Sequence, residues 1–265
     1  MDALATAGSN SAAAGLEWLP LAERAAREAG RFLAAAPRRD ARVVAETSRD
    51  VKIEADRAAE DRIVDVLSAG SPMAILAEER IDDATAPASG LRWIVDPLDG
   101  TVNYLQGIPF CCVSIALWSD DDPLASVVYD FDRDEMFSGV VGAGAWVNGS
   151  AMRVGSSQPE RGVLCTGFPA GTDFAPAALT RFVQQVQRFR KIRLLGSAAL
   201  SLAYVAAARA DAYFERDVRI WDVAAGLALV RAAGGEFDRA ASPVPHGVTV
   251  YAHNGACAWP DPVLA

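Results

Sequence analysis

Residues 93–103 read WIVDPLDGTVN, and the fold is read outward from them. The apolar run at 91–95 has strand character and breaks at Asp96-Pro97-Leu98-Asp99-Gly100-Thr101. Pro97 has no backbone N–H to give to a sheet and has a fixed φ, so the spacing predicts that it stops the strand. Gly100 lets the main chain approach a ligand closely. Two carboxylates at the mouth of a buried strand can hold hard cations between them. The amides of Gly100 and Thr101, at a predicted helix start, can bind an anion.

The surrounding chain is long enough for a large core. It has 265 residues, 51% of them hydrophobic, which fits one large domain or two closely packed halves. A net charge of -9 and a pI near 4.8 argue against a nucleic-acid partner or an anionic membrane surface. Cys111, Cys112, Cys165 and Cys257 show no zinc spacing, and a reduced cytoplasmic protein is the simpler reading. Residues 1–16 lack the basic start and apolar core of a signal peptide, and no apolar run reaches the ~20 residues a bilayer span needs.

Periodicity divides the chain by style. Residues 1–14 are small and polar and are expected to be a flexible N-terminus. Leu16, Leu19, Ala22, Ala26, Ala29 and Leu33 recur at helical spacing, which predicts a helix over 16–36, with a second over 54–67. Strands are predicted at 73–77, 91–95, 110–118, 124–131, 135–140 and 145–147, forming an antiparallel meander. From about residue 155 strands and helices alternate: strands at 161–166, 192–195, 211–214, 236–237 and 248–251, and helices at 176–189, 197–209 and 222–233. Residues 15–265 therefore read as one domain, with a helix pair plus antiparallel sheet to 154 and an alternating β/α half after it.

Five acids fall at element ends, where sites are assembled. Asp56 opens a helix, Glu78 follows a strand, Asp96 and Asp99 follow another, and Asp222 begins a helix after Trp221. Each alone reads as a helix cap or a solvated charge. Brought together they demand cations or protons, and an all-oxygen donor set selects Mg²⁺ or Mn²⁺ over zinc.

The motifs DPLDGT at 96–101 and WDVAAG at 221–226, with the Glu78-Glu79 pair, PFCCVSIAL at 109–117, GAGAWVNG at 142–149, TGFP at 166–169 and GSAALSLAYVAAARADAYFE at 196–215, resemble the inositol monophosphatase family over residues 16–255. The resemblance implies a layered α/β (αβαβα) sandwich of the sugar-phosphatase type, a homodimer, and two to three Mg²⁺ ions per site. It implies that Glu78, Asp96 and the Leu98 carbonyl hold one ion and that Asp96, Asp99 and Asp222 hold the second. A third would lean on Glu78 through water, with Glu79 further out. Thr101 and Asp56 would orient the attacking water. Asp99, Gly100, Thr101, Ala198, Glu215 and Asp222 would contact the substrate, with Glu215 and the Ala198 backbone meeting sugar hydroxyls. That set favours a small-molecule polyol phosphate, inositol 1-phosphate first. Histidinol phosphate, fructose 1,6-bisphosphate and 3′-phosphoadenosine 5′-phosphate are the alternatives handled by relatives.

One segment departs from the family pattern. In residues 46–56, Ile53 stands where a threonine is common and Lys52 is displaced, which bears on the third ion and on lithium sensitivity. Glu215 has a plainer reading as the partner of Arg216 or Arg219. Gly142-Ala143-Gly144 leads into a hairpin and is no dinucleotide fingerprint. Arg188, Arg190, Lys191 and Arg193 read as a solvated helix end. A non-catalytic regulatory binding protein is the rival of another class, against which the complete set of acids weighs.

Overall fold

A computed structural model describes residues 2–38, 41–47, 51–83, 90–169 and 172–258, with no account of the side chains at 2–11 and 81–83. Helix α1 (Asp2–Ala35) begins upstream of the Leu16 start that periodicity predicts and carries Pro20 within it. A short hairpin, β1 (Val43–Glu46) and β2 (Val51–Ile53), leads into α2 (Glu54–Gly70). This hairpin was not foreseen. Its connection at 48–50, part of the divergent segment, lies outside the described residues.

A seven-stranded sheet follows the order β3-β4-β5-β6-β7-β8-β9. Its members are β3 (Ala74–Ala77), β4 (Leu91–Asp99), β5 (Cys112–Ser119), β6 (Asp122–Asp130), β7 (Glu135–Val140), β8 (Gly144–Val147) and β9 (Ser150–Met152). All neighbours are antiparallel except β3 and β4. The six-residue helix α3 (Thr101–Gln106) leaves the end of β4. A second sheet, in the order β11-β10-β12-β14-β13, is built from β10 (Val163–Thr166), β11 (Lys191–Leu194), β12 (Ala212–Arg219), β13 (Glu236–Ala241) and β14 (Gly247–His253). Helices α4 (Pro176–Val186), α5 (Ala198–Ala206) and α6 (Ile220–Ala232) complete the chain.

The layers follow from strand alternation. On β4, Trp93 and Val95 face a core shared with Leu19, Ala22, Ala26, Leu33, Ile63 and Leu67 of α1 and α2. Ile94 faces the opposite way, into a core shared with α5, α6 and Tyr213, Val218 and Val250 of the second sheet. A third cluster joins Leu164, Ala212, Phe214 and Tyr251 to Val186 and the partly buried Phe182 of α4. The molecule is thus an αβαβα sandwich. Helices α5 and α6 read as apolar all round, as a central layer must. They touch closely at Gly226, where an added Cβ would lie 2.3 Å from the Leu202 Cβ.

Pro97 does not end β4. The strand runs on to Asp99, with its pairing to β5 shifting register between Asp96 and Asp99. A bulge accommodates the missing N–H and changes which way the later residues point. No helix among the described residues is long and apolar enough to cross a membrane.

Candidate active site

Register assembles the first acids. Strands β3 and β4 run parallel with Ala77 opposite Val95, so the next residues, Glu78 just past the end of β3 and Asp96 within β4, stand side by side. Asp96 shares the face of Ile94 and turns toward the central helices. Its Oδ1 accepts the Leu98 N–H at 2.9 Å, which fixes the carboxylate against its own turn. Asp222 arrives from the second sheet. It occupies the first turn of α6, where its Oδ2 accepts the Arg219 N–H at 3.3 Å. One carboxylate oxygen from each of Glu78, Asp96 and Asp222 lies within 4.8 Å of the other two.

The electrostatics are those of acids that a cation could hold together. Burial pushes Asp96 and Asp222 well above the carboxylate range, and the charges of Glu78 and Asp99 push both further. Asp56 rises to about 8, first through burial and then through Glu79 and Glu78, while its bond from the Ile53 N–H (2.8 Å) opposes the rise. Its Oδ1 is buried with no hydrogen-bond partner among the described residues. Hard oxygen donors that repel one another at this spacing suit a divalent cation. The orphaned Asp56 oxygen beside them suits a bound water.

Asp99 is placed differently from the other acids. It stands outside the cluster of three, and the N-terminus of α5 holds it. Its Oδ2 accepts the Ser197 hydroxyl at 2.5 Å and the Ala199 N–H at 2.7 Å, and its Oδ1 accepts the Ala198 N–H at 3.3 Å. Burial raises Asp99 to about 6, and these donors and the Cys112 thiol hold it down against that. The backbone amide of Ala198 is therefore engaged by Asp99. Thr101 donates its hydroxyl to the Leu98 carbonyl at 3.1 Å, so two residues of the expected set bond to each other. Gly100, at φ 92°, reverses the chain between Asp99 and α3, where an added Cβ would sit 3.0 Å from the Phe110 carbonyl oxygen.

Glu215 is buried at the end of the expected sugar contact. Burial lifts its carboxyl to about 8, the Tyr213 hydroxyl draws it back, and the Asp99 charge adds repulsion. Arg219 donates to the Pro245 carbonyl and lies over Trp221, and Arg216 lies over Phe214.

Sequence reasoning did not assign roles to Ser197, Lys52 and Glu60. Ser197 caps α5, accepting the Leu200 N–H at 3.2 Å, and a serine before a helical run is a legible cap signal. The Lys52 ammonium lies 2.6 Å from Glu79 and 3.7 Å from Glu78, so the displaced lysine of β2 reaches the acid pair. Glu60 is fully buried, and its Oε2 accepts the Glu79 N–H at 2.7 Å.

A profile described as the inositol monophosphatase family matches residues 16–261. A protein of Pasteurella multocida named Nus factor SuhB is 38% identical over 221 residues, 82% of this chain and 83% of its own. Among solved structures, the extragenic suppressor protein suhB of Bartonella henselae superposes with a TM-score of 0.77 at 36% identity, covering 89% of this chain and 93% of that one. An inositol monophosphatase from Anabaena gives 0.76 at 31% identity, with 92% and 93% covered. With its sandwich and its three converging acids, the chain belongs to the inositol monophosphatase family.

Proposed function

We propose that the protein hydrolyses a phosphate monoester of a sugar or polyol, inositol 1-phosphate first, using water as the nucleophile. The observation that carries this reading is the convergence of Glu78, Asp96 and Asp222 within 4.8 Å, from the residue after β3, from β4 and from the helix that follows β12. Glu78, Asp96 and the Leu98 carbonyl would hold one Mg²⁺, and Asp96, Asp99 and Asp222 a second, with Mn²⁺ as the substitute. Bound there, such ions make water nucleophilic near neutral pH and neutralise the leaving alkoxide.

The chain's own groups do the rest. Asp56, with one carboxylate oxygen bonded to the Ile53 N–H and the other unpartnered, accepts a proton from the attacking water. Thr101 aligns that water through its hydroxyl. The amides of Gly100 and Thr101 face the phosphoryl oxygens, and Glu215 accepts hydrogen bonds from hydroxyls of the leaving group. Transfer of this kind depends on position and charge, with no phosphoenzyme needed. A homodimer is the assembly that accompanies this reading.

Phosphate release from inositol 1-phosphate in Mg²⁺ tests it. Asp99→Asn should lower turnover at least ~100-fold while the circular dichroism spectrum is unchanged. Near wild-type turnover in that variant would remove Asp99 from the site.

A second reading rests on the relatives named Nus factor SuhB: a binding role that does not use the acids. Association with transcription proteins that survives Asp99→Asn, with no ester hydrolysed by the wild type, would favour it.

A further inference from the structure

The acid pair Glu78-Glu79 already has a cation of its own. Lys52, on β2, brings its ammonium 2.6 Å from Glu79 Oε1 and 3.7 Å from Glu78 Oε1. The contact with Glu79 is a hydrogen bond as well as an ion pair.

That contact is anchored from both sides. Ile53, the residue after Lys52, is fully buried, and its N–H goes to Asp56, so the backbone carrying the lysine is fixed at the edge of the site. Glu79 is held from behind, its own N–H going to the buried Glu60 at 2.7 Å. Its side chain is only 10% exposed. An ion pair this shielded, between groups whose main chains are fixed, resists opening more than an exposed pair does. Arg80, the neighbouring cation, is turned to Glu60 at 3.3 Å and to Asp61.

The family pattern would lean a third divalent ion on Glu78 through water, with Glu79 further out. Mg²⁺ placed there needs an octahedron of oxygens at about 2.0–2.1 Å and keeps several waters. An ammonium bonded to Glu79 occupies the carboxylate oxygen that such a hydrated ion would use, and its charge repels a divalent ion close by. A lysine head is a compact point charge with three donors, so it neutralises both acids with no coordination shell to build. The same charge reaches Asp56, where it opposes those of Glu78 and Glu79.

We propose that the Lys52 ammonium takes the place of the third divalent cation, so that this chain works with two metal ions and one positive charge of its own. The segment that departs from the family pattern thereby supplies the charge that the pattern leaves to a metal. This rests on the metal reading given above for the phosphatase and fixes how many ions the site takes up.

The test counts bound Mn²⁺, which accepts the same oxygen donors, by electron paramagnetic resonance on the whole chain with inorganic phosphate present. The wild type should bind two ions per chain into the low millimolar range. Lys52→Met should bind three, the added one weakly, and Lys52→Arg, which keeps the charge, should bind two. Adding Glu79→Gln to Lys52→Met should return the count to two, which places the extra ion on the acid pair. Circular dichroism checks that each variant is folded, and the wild-type count decides by itself if Lys52→Met is not. Three ions on the wild type, or none gained by a folded Lys52→Met, overturns the inference and leaves the metal site standing. So does an ion gained by Lys52→Arg, or one that survives Glu79→Gln, because the charge or the acid pair would then not be what matters. A wild type that binds no Mn²⁺ removes the metal reading itself, and the inference with it.

Discussion

Asp99 shows how much a single residue's surroundings decide. Left to its sequence, it is the second acid of a turn; in the fold it is a carboxylate held by Ser197 and the first amides of α5. Ser197→Ala should leave the two amide bonds in place and remove the shortest contact. A hydrogen bond to a charged group is worth about 1.5–3 kcal/mol, so kcat on the proposed substrate should fall about tenfold. Loss of the cap should cost about 1 kcal/mol of stability, read in a urea titration. Lys52 works in the opposite sense. Its ammonium lies 3.7 Å from Glu78, where it competes with any cation bound there. Lys52→Met should lower the Mg²⁺ concentration for half-maximal turnover a few-fold, since the pair is partly solvent-screened. A rise in that concentration would instead give Lys52 the task of placing Glu79.

At the scale of elements, the site depends on how strands and helices meet. The parallel pairing of β3 with β4 sets Glu78 beside Asp96, and a one-residue slip would turn one of them into the opposite layer. The approach of α5 to α6 sets Asp222 against both. That approach needs Gly226, because a methyl group there meets the Leu202 side chain. Gly226→Ala should therefore destabilise the protein by about 1–3 kcal/mol through overpacking, despite the better helix propensity of alanine. Pairing it with Leu202→Ala should recover part of the loss, and a double-mutant cycle by thermal melts measures the coupling.

The whole molecule buries several acids, Asp56, Asp96, Asp99 and Glu215 among them, and its stability should report on them. Asp56 and Glu215, with ordinary values of 3.8 and 4.5, both rise to about 8 in the fold. Between about pH 4 and 8 the folded chain thus binds more protons at these groups than the unfolded chain does. Their contribution to stability is full below pH 4 and is lost as pH rises through 8. Asp96 and Asp222, also raised by burial, act in the same direction. In metal-free buffer the Tm should fall from pH 5 to pH 8. Mg²⁺ binds the ionised acids of the folded state alone, so its addition should raise the Tm most at pH 8 and flatten the profile. A metal-free Tm that climbs over this range would show that the acids do not face one another.

Local pattern was enough for much of this. Alternation on β4 sets Trp93 and Val95 against Ile94, and the helical spacing of Leu19, Ala22, Ala26, Ala29 and Leu33 marked the buried face of α1, while Leu16 of the same series is exposed, because periods of 2 and 3.6 are properties of the backbone itself. The turn at 96–101 and the acids Glu78, Asp96 and Asp222 were legible from residue type and position at element ends. The course of β4 through Pro97, the β1–β2 hairpin and the engagement of Asp99 by Ser197, 98 residues away, were not. The sequence by itself determined the buried faces of the strands and helices and set acids at the ends of elements. Only the tertiary structure decided which of them meet, because contacts between distant segments are set by how whole layers pack.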